Sequence, residues 1–154
     1  MLNLQLAHLN RSRLDRLGRG GLYLRLEPLV LRRKRLAELR PGDWLDLGAE
    51  VPGLELARDG VRLASLRAEA EGVRILDEVA DGEPEIPERR DVLLEARVAP
   101  LPRVGTLVPG TLFSLDWRLN ERIYLYVGEV LLAVARLVAY EEGYALKIEE
   151  VADG

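Results

Sequence analysis

Leu39-Arg40-Pro41-Gly42-Asp43-Trp44-Leu45-Asp46-Leu47 recurs in the second half of the chain as Leu107-Val108-Pro109-Gly110-Thr111-Leu112-Phe113-Ser114-Leu115. Each copy puts a Pro-Gly pair in front of an apolar stretch. Proline presets φ for the second position of a turn, and glycine at the next position is free to take a positive φ. The same turn used twice implies the same fold used twice.

The similarity continues downstream. Leu54-Glu55-Leu56-Ala57-Arg58-Asp59-Gly60-Val61-Arg62-Leu63-Ala64 parallels Ile123-Tyr124-Leu125-Tyr126-Val127-Gly128-Glu129-Val130-Leu131-Leu132-Ala133, and Val73-Arg74-Ile75 parallels Leu146-Lys147-Ile148. A strand precedes each Pro-Gly pair, Leu22 to Leu31 in one half and Val92 to Ala99 in the other. Period-two alternation in Leu22-Tyr23-Leu24-Arg25-Leu26 and in Leu54-Glu55-Leu56 predicts half-buried strands. Asp59-Gly60 is a two-residue hairpin signal, and Gly128-Glu129 holds the same place with glycine first, as a type II′ turn requires. Arg122 to Val127 and Val130 to Tyr140 form the arms of a long hairpin. Short helical turns are expected at Arg33 to Leu39 and at Arg103 to Leu107.

Between the halves, Ala80-Asp81-Gly82-Glu83-Pro84-Glu85-Ile86-Pro87-Glu88-Arg89-Arg90 combines two prolines, a glycine and a dense run of charge, the composition of an exposed linker. The chain divides accordingly into an N-terminal segment, 1–20, a first unit, 21–78, a linker, 79–90, and a second unit, 91–154. In the N-terminal segment Leu2, Leu4 and Leu6 alternate, whereas Leu6, Leu9, Leu14 and Leu17 suit a helix better, and the segment reads as helical. A body of some 60 residues buries too small a share of its surface to be comfortably stable alone. The 154 residues, 48% hydrophobic, therefore predict two halves that share one core.

Twenty-two basic and 26 acidic residues give a net charge of −4, which argues against a nucleic-acid protein, since that would need a basic face to displace counterions. The chain has no cysteine, so disulfides and thiolate metal sites are excluded. No apolar run approaches the roughly 20 residues of a membrane-spanning helix, and the N-terminus lacks the basic start and long apolar stretch of a signal peptide. A cytoplasmic location is expected.

Catalytic constellations are missing. His8 is the sole histidine, and acid–base or metal chemistry needs partners around it. Ser12, Ser65 and Ser114 have no histidine base. Glu141-Glu142 and Glu149-Glu150 are adjacent in strands and point to opposite faces, so neither pair shares a proton. Gly18-Arg19-Gly20-Gly21 lacks the Gly-Lys-Ser/Thr ending of a phosphate loop. The expectation is no enzyme, no cofactor and no metal. Trp44 is expected in the core and Trp117 at a rim.

The succession of strand, short helix, Leu-x-Pro-Gly, strand, hairpin, long strand and Leu-Lys-Ile ending resembles a SpoA domain. That family includes the C-terminal domains of the flagellar motor-switch proteins FliM and FliN and of their type III secretion counterpart SctQ. The resemblance spans roughly Gly21 to Glu78 and Asp91 to Val151. It departs from the family where the usual Asn-Gly hairpin becomes Gly128-Glu129 and where Pro100-Leu101-Pro102 looks shortened. It implies a mainly β fold in which two SpoA-type domains form an intertwined, pseudo-symmetric β dimer or barrel with short helices. It also implies an adaptor in the cytoplasmic ring or sorting platform of a type III secretion system, peripheral to the inner membrane. Partners would be SpoA domains of self or homologous subunits and the N-terminal peptide of the stator protein, SctL or FliH. A FliM–FliN-like switch component is the alternative. A small-molecule or nucleotide-sensing β-barrel is a further one, supported by the basic cluster Arg32-Arg33-Lys34-Arg35.

Leu131 to Tyr140 is apolar on both alternations, as a strand buried on both faces or docked on one would be. By resemblance, Leu137 and Val138 fall where FliN-like domains carry a valine-rich, stator-binding patch, bordered by Leu119 and Leu101.

Overall fold

A computed structural model describes residues 21–50, 52–101, 107–114 and 122–152. The first half contributes strands β1 (Tyr23–Leu26), β2 (Leu29–Arg32), β3 (Trp44–Gly48), β4 (Leu54–Arg58), β5 (Val61–Glu69) and β6 (Gly72–Ile75). The second contributes β7 (Asp91–Pro100), β8 (Leu112–Ser114), β9 (Arg122–Val127), β10 (Val130–Tyr140) and β11 (Gly143–Val151). Helix α1 (Arg33–Ala37) sets Leu36 and Leu39 against the core and stops short of Arg40, where the following proline disfavours helical backbone. The expected helices over 1–20 and 103–107 and the rim position of Trp117 lie outside the described residues.

All pairings are antiparallel, and they join into one open sheet ordered β3-β11-β10-β9-β7-β1-β4-β5-β6-β8, with β2 beside β7. This order reads the same backwards once each first-half strand is exchanged for its second-half counterpart. The two central strands meet with Arg25 opposite Arg97. Arg25 lies across β4 from Glu55, and Arg97 lies across β9 from Tyr124, the residue equivalent to Glu55 in the repeat. A pseudo-twofold axis therefore passes between Arg25 and Arg97.

The Pro-Gly turns show how the halves exchange structure. Each closes on itself, Asp43 N–H to Arg40 O at 3.0 Å and Thr111 N–H to Val108 O at 3.1 Å, with Gly42 and Gly110 at φ +94° and +85°. Each then bonds to the other half. Gly42 N–H donates to Ile148 O at 2.7 Å and Ile148 N–H to Asp43 O at 2.8 Å. In the equivalent place, Gly110 N–H donates to Ile75 O at 2.8 Å and Ile75 N–H to Thr111 O at 3.0 Å. Strand β3 of the first half thus finishes the second half's edge along β11, and β8 of the second finishes the first half's along β6.

One core results, with Leu24, Leu26, Leu45 and Leu56 interleaved with Leu94, Leu125, Leu137 and Leu146. The hairpin at Asp59-Gly60 has both residues at positive φ, as its sequence predicts, and Gly128 is positive as well.

Candidate docking face and the charged centre of the sheet

Opposite the main core the sheet carries a second apolar cluster, Tyr23, Ala57, Tyr124, Tyr126, Leu131 and Val134. Beside it lies a charged group at the pseudo-twofold axis. Arg25, Glu95 and Arg97 are only 3%, 2% and 1% exposed. Glu95 Oε2 accepts from Arg25 at 2.6 Å and from the Tyr23 hydroxyl at 2.7 Å, while its Oε1 accepts from Arg97 at 2.6 Å. Arg25 also donates to Glu55 at 3.0 Å. The Arg97 guanidinium lies 4.4 Å from the centre of the Tyr23 ring and 4.1 Å from that of Tyr126, so two aromatic faces and one carboxylate share its charge.

Burial alone would raise the Glu95 carboxyl. Arg97, with hydrogen bonds from Arg97, Tyr23 and Arg25, outweighs it and holds the group below the ordinary glutamate value. At Glu55 the balance goes the other way, and burial holds the carboxyl up despite Arg25 and Arg62. The Tyr23 hydroxyl is pushed up by burial and by the Glu95 charge. This group is a buried ion cluster whose members pair with one another. Sequence periodicity places Tyr23 and Arg25 on a solvated face and so misses it. The only available signal is the arginine at matched positions of the two central strands.

Away from the axis the two halves differ on this face. On β10 the outward positions are Val134, Arg136, Val138 and Tyr140. In the repeat Ser65, Arg67 and Glu69 of β5 take the places of Val134, Arg136 and Val138. The first-half positions are tied up in polar pairs. Arg62 contacts Ser65 and Asp77 at 2.6 Å, and Arg74 and Arg67 both reach Glu69. Apolar surface is therefore exposed on the second half's face and absent from the equivalent place on the first.

The residues expected to form a docking patch are separated by the fold. Leu137 is 7% exposed within the main core. Val138, its neighbour, points to the outer face and is partly exposed. Leu101 is buried and holds Leu22 O through its N–H at 2.9 Å. Leu119 lies outside the described residues. Around Val138 the structure gathers residues the sequence does not bring together. Ala145 sits opposite Val138 on β11, and Asp46 opposite Ala145 on β3. Tyr140 donates to Asp46 at 2.6 Å and its ring meets Trp44 at 5.9 Å between centroids. That hydrogen bond holds the Asp46 carboxyl below its ordinary value and the Tyr140 hydroxyl above.

Trp44 is 46% exposed, a correction to its expected place in the core. Alternation along β3 explains it, because Leu45 takes the inward position opposite Leu146 and leaves Trp44 outward. The basic run Arg32 to Arg35 lines a concavity completed by Glu38, Arg89 and Arg90. Among the described residues no helix is long and apolar enough to cross a membrane.

Residues 91–153 match the family described as type III flagellar switch regulator (C-ring) FliN C-term. The match covers the second half of the chain, β7 through β11, which is similar to the SpoA-type domain of that family, and does not include the first half. No curated protein matches the chain.

Proposed function

We propose that this chain is a non-catalytic building block of the cytoplasmic sorting platform beneath a type III secretion apparatus, assembling through SpoA-type units and docking the stator protein. The family relationship supports a component of a flagellar or type III secretion ring in general, in a family of structural switch domains rather than enzymes. In this reading 21–78 and 91–154 are the two units. The observation that carries it is the reciprocal bonding of each Pro-Gly turn to the other half's final isoleucine, Gly42 with Ile148 and Gly110 with Ile75. That exchange closes within one chain an interface that single-unit relatives would make between two.

Docking is assigned to the outer face centred on Val138, Tyr140 and Trp44. An apolar residue there, flanked by Arg136 and Lys147, suits an amphipathic peptide laid on the sheet. The test is titration of the whole chain with N-terminal peptides of an SctL-like and a FliH-like stator. Val138→Asp is expected to weaken binding at least about tenfold while leaving the circular dichroism spectrum unchanged. Undiminished binding would move the docking site elsewhere, and no binding by either peptide would overturn the stator-docking role. The flagellar wording of the matched family favours a second reading, a switch-complex component, which preferential binding of the FliH-like peptide would select.

A further inference from the structure

The concavity beside α1 gathers cations from two distant parts of the chain. Arg32, Arg33, Lys34 and Arg35 come from the end of β2 and from α1, and Arg89 and Arg90 come from the end of the linker. They are held together by backbone bonds: Arg33 N–H to Arg90 O at 3.0 Å, and Arg33 Nε to Arg89 O at 3.3 Å. Among the described residues only Arg32 of this group has a carboxylate partner, Asp91 at 3.4 Å. Glu38 is the other acid nearby. In a chain of net charge −4, six cations facing two carboxylates make a strongly positive patch.

Immediately before it runs the opposite charge. Glu83-Pro84-Glu85-Ile86-Pro87-Glu88 forms neither helix nor strand, and among the described residues none of its three glutamates has a side-chain hydrogen bond or ion pair. Ile86, between them, is 89% exposed, the most exposed large hydrophobic residue among those described. The run does not close on its own basin. Its start is fixed to β5 by Ala80 N–H to Leu63 O and Gly82 N–H to Arg62 O, and its end by Asp91 N–H to Glu88 O. Next to the basin lies an apolar groove of about 540 Å³, lined by Leu36, Val92, Val127, Val130 and Leu132, with Arg33 belonging to both. Val130 there is 57% exposed.

We propose that the occupant of this surface is a second copy of the chain, in a twofold dimer whose partners exchange their Glu83–Glu88 runs. An acidic segment adjoining a basic concavity is self-complementary under a twofold rotation, because each acid then faces the other copy's base. The glutamates sit on Arg33, Lys34, Arg35, Arg89 and Arg90 of the partner copy, and Ile86 enters the groove. Charge pairs alone at a solvated surface contribute little, so the buried isoleucine supplies the anchor and the charges supply register. The proposal rests on the basin and the linker, and its variants leave Val138, Tyr140 and Trp44 unchanged, so its failure and that of the stator reading are distinguishable.

The test is the mass of the purified chain by sedimentation at about 50 mM and about 500 mM salt, where screening shortens to a few ångströms. The expected result is a dimer at low salt that weakens steeply at high salt. E83R/E85R/E88R and R89E/R90E/K34E are each expected to be monomeric and folded, and mixing the two is expected to restore a one-to-one dimer. Ile86→Ala removes two buried side chains from a twofold dimer, one in each groove, and is expected to weaken it about a hundredfold. A wild-type chain that stays monomeric at low salt would overturn the proposal and return the basin to another acidic partner or a small anion. A dimer that ignores both charge reversals would overturn it as well, placing self-association on a different surface.

Discussion

Tyr23 donates its hydroxyl hydrogen to Glu95 Oε2 across 2.7 Å, and the two residues occupy the same position in the two halves of the repeat. Symmetry brings like positions together at an axis, so identical side chains there would meet as two phenols or two carboxylates. Divergence to a donor and an acceptor turns that meeting into a bond. The single negative charge is then left to balance Arg25 and Arg97, which also meet at the axis. Such a group needs the two halves to differ, and a symmetric dimer of identical units could not build it.

Glu95 is accordingly the residue on which the centre of the sheet depends. Removing one partner from a buried ion group leaves uncompensated charge, at a cost of about 3–5 kcal/mol. Glu95→Ala is expected to lose stability of that size in urea unfolding. Glu55→Ala is expected to lose about 1 kcal/mol, since Arg25 keeps Glu95 and loses only a secondary hydrogen bond. A Glu95→Ala loss under 1 kcal/mol would show that water enters the cluster and that the ions are not sealed.

The adjacent residues Leu137 and Val138 test the orientation of β10. Leu137→Ala is expected to cost about 2–5 kcal/mol through the cavity it leaves in the shared core. Val138→Ala, on the outer face, is expected to change stability by no more than about 1 kcal/mol. Equal losses at both sites would contradict the assignment of Val138 to a free surface.

Strand content, both hairpins, the Pro-Gly turns and the sharing of one core were legible in the sequence, because each rests on local chemistry or on self-similarity. Trp44 and the buried arginines were not. Alternation tells which residues share a face, yet it does not tell which face is covered. On β3 the inward register belongs to Leu45, and on β1 and β7 both faces are covered near the axis. The outer face proposed for docking joins stretches that lie far apart in sequence. The apolar run marked β10, but Trp44 and Asp46 reach it only through the exchange of β3 into the second half. The cationic basin likewise joins residues more than fifty positions apart through the Arg33–Arg90 bond.

Gly143 tests that exchange. A Cβ added there would fall on the carbonyl oxygen of Gly48, backbone against backbone, at the seam where β11 receives β3. Gly143→Ala is expected to push the two strands apart and cost about 1–3 kcal/mol, as forced overpacking does. Amide hydrogen exchange should show the loss of protection concentrated in Trp44–Gly48 and the facing part of β11. Loss spread evenly over the sheet would mean that the seam is not a separable joint.

Acid should weaken the first half's outer face. Arg74 and Arg67 hold the Glu69 carboxyl down, from 4.5 to about 2. A group whose folded value lies below its unfolded one contributes stability that is complete above the unfolded value. That contribution drains away as pH falls toward the folded value. The Glu69 contribution is therefore present at neutral pH and lost between about pH 4.5 and pH 2. Glu95 acts in the same direction from the sheet's centre, whereas Glu55, held above its ordinary value, opposes both. Melting temperature followed from pH 6 to pH 2 should fall through this window. Glu69→Gln should start lower at neutral pH and fall less steeply, so that the two curves converge toward pH 2. Parallel curves would show that the Glu69 pairs with Arg74 and Arg67 are too well solvated to contribute to folding.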